Sequence, residues 1–344
     1  MGGLSRRYVK IQEIRDAGKD PLIVDAGDLF FSTTRINDKN KKSEEYRASA
    51  ILEGFNKIGC DAINIGKYEL LNGLSFLNEM TTKIEAPFLS ANLKSQKTKE
   101  LLFKPYHILK KSDLTFGIIG VTNQVPDTST MVIADDFIEA GNYYINEIKN
   151  QVDIIIMLVN ADRGSQADLV EKFEDADFII TSGSTNMTRT NSPQKTDGPF
   201  KYSCGKQGKY LMVVDVEMND KNSPLVDISN HKKKIKDINK RFERLQKKDP
   251  KKSLEEIYSD QSNVLKLIKQ YEKDLEIAEN AIENALNTIK FETIGLNKKV
   301  KDDPGLLAFV DSSLAKCNAL NPEKNKQFNG GKKNSKIDHS GHNH

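Results

Sequence analysis

The chain has 344 residues, of which 37% are apolar and 29% are charged, and its formal net charge is +3. The low apolar share predicts that part of the length is extended helix or tail rather than core. The near-neutral net charge gives no reason to expect that the chain as a whole binds nucleic acid or membrane. No apolar run approaches the roughly 18 residues that a bilayer span needs, and no signal peptide precedes the first predicted helix.

Cysteine and histidine usage disfavours a metal site built on those ligands. The three cysteines, Cys60, Cys204 and Cys317, match no metal or redox motif, and we interpret them as inert thiols. One histidine, His107, falls within the first 230 residues. Three more form a cluster within residues 339–344, in a tail that we interpret as disordered, with weak transition-metal binding as the alternative.

The first 219 residues alternate helix and strand, and the segment that organises them is 21–31, PLIVDAGDLFF. An apolar run that ends in Gly-Asp predicts a buried parallel strand whose carboxyl end presents Asp28 to a crevice. Further strands are predicted at 62–65, 88–92, 104–110, 114–121, 153–159 and 177–181, with a hairpin of 200–203 and 210–218. Strands 104–110 and 114–121 are predicted to be antiparallel neighbours. Helices are predicted at 8–17, 43–58, 73–80, 135–148 and 166–173. This alternation predicts a layered α/β fold.

Beyond residue 220 the sequence changes to long amphipathic helices. Apolar positions repeat every three or four residues from His231 to Leu245. A second helix is predicted to begin after Ser253, with a capping box, and its apolar seam runs from Val264 to Ile289. Two such helices joined by a short break predict an antiparallel hairpin. Dimerisation through the seam is the alternative that the short break disfavours.

The first of these helices is basic, because residues 232–252 hold 11 Lys or Arg. A nucleic-acid or anionic-membrane face is one interpretation. No aromatic residue is interleaved for base stacking, so a solvated face is favoured and nucleic acid is not an expected partner. The predicted domains are an α/β region 1–219, a helical hairpin 220–290, an extended segment with a return helix 291–320, and a disordered tail 321–344.

Several segments occur in an order typical of one family. They are GGLSRR, VDAGDLF, GCDAINIGKYELLNG, APFLSANL, FGIIGVT, DIIIMLV and GKQGKYLMVVDVEM. Together they resemble the 5′-nucleotidase, or UshA-like, branch of the calcineurin-like metallophosphoesterase superfamily. The resemblance covers about residues 1–219 and implies a layered α/β/β/α sandwich, here with an appended antiparallel helical hairpin.

The resemblance also implies a chemistry, in which two divalent metals about 3.5–4 Å apart activate a hydroxide and clamp phosphoryl oxygens. The family's motifs are an early Asp-x-His, a Gly-Asp, a Gly-Asn-His-Glu, a Ser-His and a Gly-His-Ser-His. The Asp-x-His would lie before Met1 and is absent, together with the first core strand. Gly27-Asp28 is intact, so Asp28 matches the family's metal-bridging aspartate.

The other motifs depart from the family's pattern. Lys67 stands at the position of a metal-ligating asparagine and Tyr68 at that of the catalytic histidine. Asn160 stands where the Ser-His motif has its histidine. Gly183 and Thr185 replace two metal-ligating histidines.

Asp28 and Asn160 are therefore the candidate metal ligands that remain, and one carboxylate and one amide do not hold two metals. No cofactor is expected. A divalent metal pair is expected only if further ligands lie upstream and the site is atypical. Lys67 is predicted to form an ion pair with Asp28, which would neutralise a costly buried carboxylate. The alternative is that Lys67 points to solvent.

The favoured function is a catalytically impaired pseudoenzyme that acts in binding or assembly, with a protein partner on the hairpin. One alternative is an active metal-dependent phosphoester or nucleotide hydrolase with an atypical site. The other is a purely structural or interaction protein. Residues 220–320 offer no counterpart to the family's nucleoside-stacking domain, which disfavours nucleotide hydrolysis.

The missing first strand predicts an exposed sheet edge or an unfilled core. The resemblance favours a reading frame that starts late, for instance after a stop codon read as selenocysteine. An extracytoplasmic, periplasmic location is expected in that case. As written, with no signal peptide, the chain is expected to be cytoplasmic.

Overall fold

A computed structural model of the chain describes residues 3–189, 194, 198–221 and 223–321. The predicted tail and its histidine cluster lie outside the described residues, apart from Asn321. The helices are α1 (Leu4–Asp16), α2 (Lys41–Ile58), α3 (Lys67–Leu70), α4 (Gly73–Thr81), α5 (Phe137–Ile148), α6 (Leu169–Lys172), α7 (Ser229–Gln246), α8 (Leu254–Ile257), α9 (Ser262–Glu283) and α10 (Pro304–Ala319). The strands are β1 (Val24–Asp25), β2 (Ala62–Asn64), β3 (Phe88–Leu89), β4 (Leu93–Ser95), β5 (Tyr106–Lys111), β6 (Leu114–Thr122), β7 (Val132–Ala134), β8 (Ile154–Asn160), β9 (Phe178–Ser182), β10 (Phe200–Ser203), β11 (Tyr210–Glu217), β12 (Leu225–Asp227) and β13 (Asn287–Gly295).

Two sheets of the described residues position the candidate site. One is parallel, in the order β1-β2-β3. The other has the order β10-β9-β8-β6-β5, with β5 antiparallel to β6 as predicted and the remaining pairs parallel. A third sheet, β11-β13-β12, borders them.

The layers follow from alternation along the buried strands. On β8, Ile154, Ile156 and Leu158 pack between the sheets, whereas Ile155, Met157 and Val159 face the cluster that holds residues of α5 and α6. Both faces of β8 are buried, which explains why the strand is apolar throughout. Residues of α1, α2, α4 and α10 pack with the parallel sheet in another cluster. The layered α/β/β/α prediction is confirmed.

The predicted hairpin of 200–203 and 210–218 is wrong. Strand β10 instead pairs in parallel with β9 and buries Phe200 and Tyr202 between the sheets. Strand β11 pairs antiparallel with β13, about 75 residues downstream. A short Gly-rich connection resembles a hairpin turn, but burial of the two aromatic rings fixes β10 elsewhere.

Helices α7 and α9 lie against each other, as the hairpin prediction requires. Lys234 pairs with Asp274 at 3.1 Å and Phe242 contacts Tyr271, so the two helices run in opposite directions. The predicted seam is too long, however, because α9 ends at Glu283 and the buried Ile289 belongs to β13. The helix after Ser253 also breaks after one turn before α9 begins.

Strand β1 lies at one edge of its sheet in the described chain, and its two residues are half-buried. In the described ranges, no helix combines the length and the apolarity that a bilayer crossing requires.

Candidate functional site

The candidate residues gather where strands of both sheets end. Asp28 follows β1, Lys67 and Tyr68 open α3 after β2, and Asn160 is the last residue of β8. Parallel strands present their carboxyl ends at the same edge of a sheet, and packing of the two sheets brings these edges together. Hydrogen bonds then join them into one network.

Asp28 is held in an uncommon backbone conformation, with φ of 67°. Its carboxylate accepts a hydrogen bond from the Tyr68 N–H at 3.1 Å and another from the Asn160 amide. Burial raises the pKa of Asp28, while these two donors and the charge of Lys67 lower it. A left-handed non-glycine residue stores strain that its surroundings must offset.

Asn160 is the centre of the network and is fully buried. Its Oδ1 accepts hydrogen bonds from the Lys67 N–H at 3.1 Å and from the Thr122 hydroxyl at 3.0 Å. Its Nδ2 donates to the Ser182 hydroxyl at 2.7 Å, and that hydroxyl donates to the Ala26 carbonyl. The amide therefore links α3, β6, β8 and β9, and its oxygen already has two donors.

Gly66 permits this close approach. A Cβ at this position would lie 2.7 Å from Asn160 Nδ2 and 2.8 Å from Asp28 Oδ1. Any larger residue would force the network apart.

Glu69 is a site residue that our sequence reasoning did not single out. It is fully buried, and its carboxylate accepts N–H bonds from Asp28 (2.9 Å), Leu29 (2.6 Å), Phe30 (3.3 Å) and Gly66 (2.9 Å). These donors fix the turn that carries Asp28. Burial, followed by the charge of Asp28, raises the pKa of Glu69. An acid three residues after Gly66, in the first turn of a helix, was the signal available in the sequence.

The predicted ion pair between Lys67 and Asp28 is wrong. Both residues belong to the described part of the chain, and their charged groups are not within the 4.0 Å of an ion pair. Lys67 acts on Asp28 through longer-range charge, and it contributes its backbone N–H to Asn160. Backbone and amide donors thus do what the ammonium was expected to do.

Gly183 and Thr185 follow β9 on the far side of the network. Gly183 has φ of 83°, and a Cβ there would lie 2.2 Å from Gln124 Nε2 and 2.5 Å from the Ala161 carbonyl oxygen. Thr185 is exposed. The structure does not bring the Thr185 side chain into the hydrogen bonds around Asp28.

These donors do not fit the two-metal centre that the fold family implies. The oxygen of Asn160 is saturated by two hydrogen bonds, and its nitrogen faces Ser182 rather than an open space. Across the described ranges, no three His, Cys, Asp or Glu side chains converge as metal ligands. His107 lies on β5, at the sheet edge away from β9, and its pKa is lowered by burial and by Lys104. We therefore derive no catalytic step through a metal.

The sequence matches no family model. It is 27% identical to human 5′-nucleotidase over 224 residues, which cover 62% of this chain and 37% of that protein. It is 26% identical to Protein UshA of Salmonella pullorum over 284 residues, which cover 71% of this chain and 51% of that protein. The chain thus spans about half or less of the length of these curated relatives.

Solved structures show the same fold. The calcineurin-like phosphoesterase YfkN from Bacillus subtilis matches with a TM-score of 0.51 and 24% identity, over 64% of this chain and 78% of that one. A 5′-nucleotidase precursor from Thermus thermophilus matches with a TM-score of 0.52 and 20% identity, over 66% of this chain and 48% of that one.

Proposed function

Because the chain belongs to the UshA-like 5′-nucleotidase branch of the calcineurin-like metallophosphoesterases, we propose that it keeps the family's fold for binding or assembly and has lost two-metal hydrolysis. Family membership by itself would suggest a phosphoric ester hydrolase. The chemistry of the residues that remain supports the loss.

The hydrogen-bond network around Asn160 carries this proposal. In a metal site, the lone pairs of Asp28 and Asn160 would point at a cation. Here the Tyr68 and Lys67 N–H groups, the Thr122 hydroxyl and the Asn160 amide itself take up that role. A network satisfied by protein donors needs no cation to balance Asp28.

The residues at the family's other ligand positions support the same conclusion. Lys67 and Tyr68 cannot bind a divalent cation as Asn and neutral His do, since an ammonium repels it and a phenol is protonated at neutral pH. Burial raises the pKa of Tyr68 further. At Gly183 the backbone conformation and the nearby Ala161 carbonyl leave no room for a side chain.

The helical region beyond residue 220 supplies the interaction element of the proposal. Helices α7 and α9 enclose a small cluster around Ile257, Tyr258 and Ile268, which is separate from the clusters that hold the sheets together. We therefore assign binding of a protein partner to this region.

Calorimetric titration of the purified protein with Mn²⁺ and Zn²⁺ tests the proposal, with Asp28→Ala as the matched variant. We expect identical heats for the two proteins. Saturable binding in the wild type that is lost in Asp28→Ala would contradict the proposal. Titration with phosphate and with a nucleotide then asks whether a ligand site remains, since binding lost on Asp28→Ala or Lys67→Ala would place a ligand at this network.

A further inference from the structure

Helices α7 and α9 form a projecting unit that we call the arm (residues 229–283). Its seam is internal: Ile238 on α7 and Ile268 and Ala278 on α9 are buried. At its base, the Ser229 hydroxyl accepts a hydrogen bond from the Phe291 N–H at 2.8 Å. The seam therefore joins the two helices to each other and leaves their outer sides exposed.

The outer side of α7 carries cations at a fixed spacing. Lys232, Lys236, Lys240 and Arg244 follow one another at intervals of four, and all are exposed. None of them forms an ion pair of 4.0 Å or less with a described residue. Like charges four residues apart destabilise a helix by about 0.2–0.5 kcal/mol per pair. This basic stripe contains one acid, Glu243, which is also exposed.

One side of α9 carries a row of acids, which lies next to the exposed cations Lys269 and Lys273. Glu272, Glu276, Glu279 and Glu283 are spaced by four, three and four, and all are exposed. In the described structure these carboxylates also lack ion pairs within 4.0 Å. This acidic stripe repels itself as the basic stripe does.

The charges that flank the seam behave differently. Lys234 pairs with Asp274 at 3.1 Å, and Arg241 lies over the Tyr271 ring at 5.0 Å. The arm thus satisfies the charged groups that its two helices share. The stripe charges, which form no ion pairs in the described structure, are those available to a second surface.

The 3.1 Å ion pair between Lys234 and Asp274 also fixes the levels of the two stripes along the arm. Since the helices are antiparallel, a residue two positions before Lys234 on α7 lies at the same height as a residue two positions after Asp274 on α9. Lys232 is therefore level with Glu276, and Lys236 is level with Glu272. With 100° per residue counted from the seam, Lys232 and Lys236 turn to the side of the arm that carries the acidic stripe. Lys240 points directly away from the seam, and Arg244 turns to the other side.

We propose that the side of the arm that carries the acidic stripe docks on the same side of the arm of a second copy of this chain. A two-fold axis parallel to the helices places α7 of each copy over α9 of the other. Rotation about this axis leaves the height of each residue along the arm unchanged. Lys232 and Lys236 of one copy therefore face Glu276 and Glu272 of the other. Because the contact is isologous, each pair forms twice. The proposal names a partner for the assembly role given above, but it does not depend on the state of the Asp28 network.

The test is the oligomeric state of the full chain by analytical ultracentrifugation at about 50 mM salt. We expect a dimer that weakens at least about tenfold in Lys232→Glu/Lys236→Glu, and equally in Glu272→Lys/Glu276→Lys. Raising the salt to about 0.5 M is expected to weaken the wild-type dimer as well, because exposed charges are screened.

Mixing the two charge-reversed variants is the decisive experiment. In the mixed dimer both contacts become Glu against Lys, so two poorly associating proteins are expected to form a heterodimer. Lys247→Glu/Lys251→Glu is the matched control, with the same change of charge at and beyond the C-terminal end of α7. The control protein is expected to form a homodimer as the wild type does. When it is mixed with Glu272→Lys/Glu276→Lys, it is expected to remain a homodimer and to form no heterodimer.

Three results would overturn the proposal. One is a wild-type protein that stays monomeric, including one whose basic stripe binds duplex DNA or anionic vesicles instead. Another is a dimer that survives both reversals. The third is a control that loses dimerisation as strongly as the stripe variants. Metal titration reports separately on the Asp28 network, so failure of one proposal does not imply failure of the other.

Discussion

The substitution Asn160→Asp distinguishes a hydrogen-bonded network from a metal site, because it changes the chemistry of the side chain and leaves its shape nearly the same. In a metal site, a new carboxylate next to Asp28 would strengthen cation binding. In the network described above, it replaces the nitrogen that donates to Ser182 and to Asp28. Ser182 already donates its proton to the Ala26 carbonyl, so it has none to offer a new carboxylate.

The expected loss of stability follows from those contacts. Losing the donor to Ser182 costs about 1 kcal/mol, and losing the donor to the Asp28 carboxylate costs about 1.5–3 kcal/mol. A second buried acid beside Asp28 is expected to remain protonated at neutral pH, so its single O–H keeps one of the two donations. We expect the free energy of unfolding to fall by about 1–3 kcal/mol, according to which of the two donations is lost.

Urea unfolding at pH 7, with and without millimolar Mn²⁺, measures this loss. The matched control is Asn56→Asp, because exposed Asn56 also donates to a carbonyl (Lys83, 2.8 Å) and accepts an N–H (Glu85, 3.2 Å). We expect the control to lose less than about 1 kcal/mol of its free energy of unfolding, and we expect Mn²⁺ to stabilise neither protein. An Asn160→Asp variant that is as stable as the wild type, or that Mn²⁺ stabilises, would refute the reasoning.

Three further predictions concern the same region and its sheet. Glu69→Ala leaves two buried and two partly buried N–H groups without their acceptor, so calorimetric melting should show a loss of about 3–5 kcal/mol in the free energy of unfolding, and an unchanged melting temperature would contradict this. Burial raises the pKa of Asp177 to about 6 from an ordinary 3.8, so the folded state keeps a proton that the unfolded chain releases. The free energy of unfolding should therefore fall by about 1–2 kcal/mol as the pH rises from about 4 to about 6, and Asp177→Asn should flatten that slope while retaining an acceptor for the Ile155 N–H. Gly183→His, which restores the histidine of the family's motif, should lower the free energy of unfolding by about 2 kcal/mol or more without creating metal binding; a variant of wild-type stability that binds Zn²⁺ would count against this.

Much of the fold could be predicted because it rests on local pattern and on burial of both strand faces. The apolar run of β8 and the antiparallel pair β5–β6 illustrate this. Pairing between distant segments could not be predicted, since β11 and β13 are separated by the whole arm. The same limit explains why Ile289 was assigned to a helical seam, because its spacing fits a heptad while its partner is a strand.

At the site, the sequence placed Asp28, Lys67 and Asn160 together but assigned the wrong partner to the aspartate. An ammonium was the obvious counter-charge by residue type. Backbone N–H groups, which every residue except proline carries, perform that role instead, and no composition argument reveals them. The buried Glu69 escaped notice for the same reason, because its partners are four backbone N–H groups.

Phosphate release by the purified full chain tests the central claim most directly. p-Nitrophenyl phosphate and AMP would be incubated at high protein concentration with Mn²⁺, Zn²⁺ or Mg²⁺, beside the Asp28→Ala variant. The account predicts the same rate for both proteins with every metal, equal to that of metal and substrate alone. Metal-dependent release in the wild type that Asp28→Ala abolishes would contradict it.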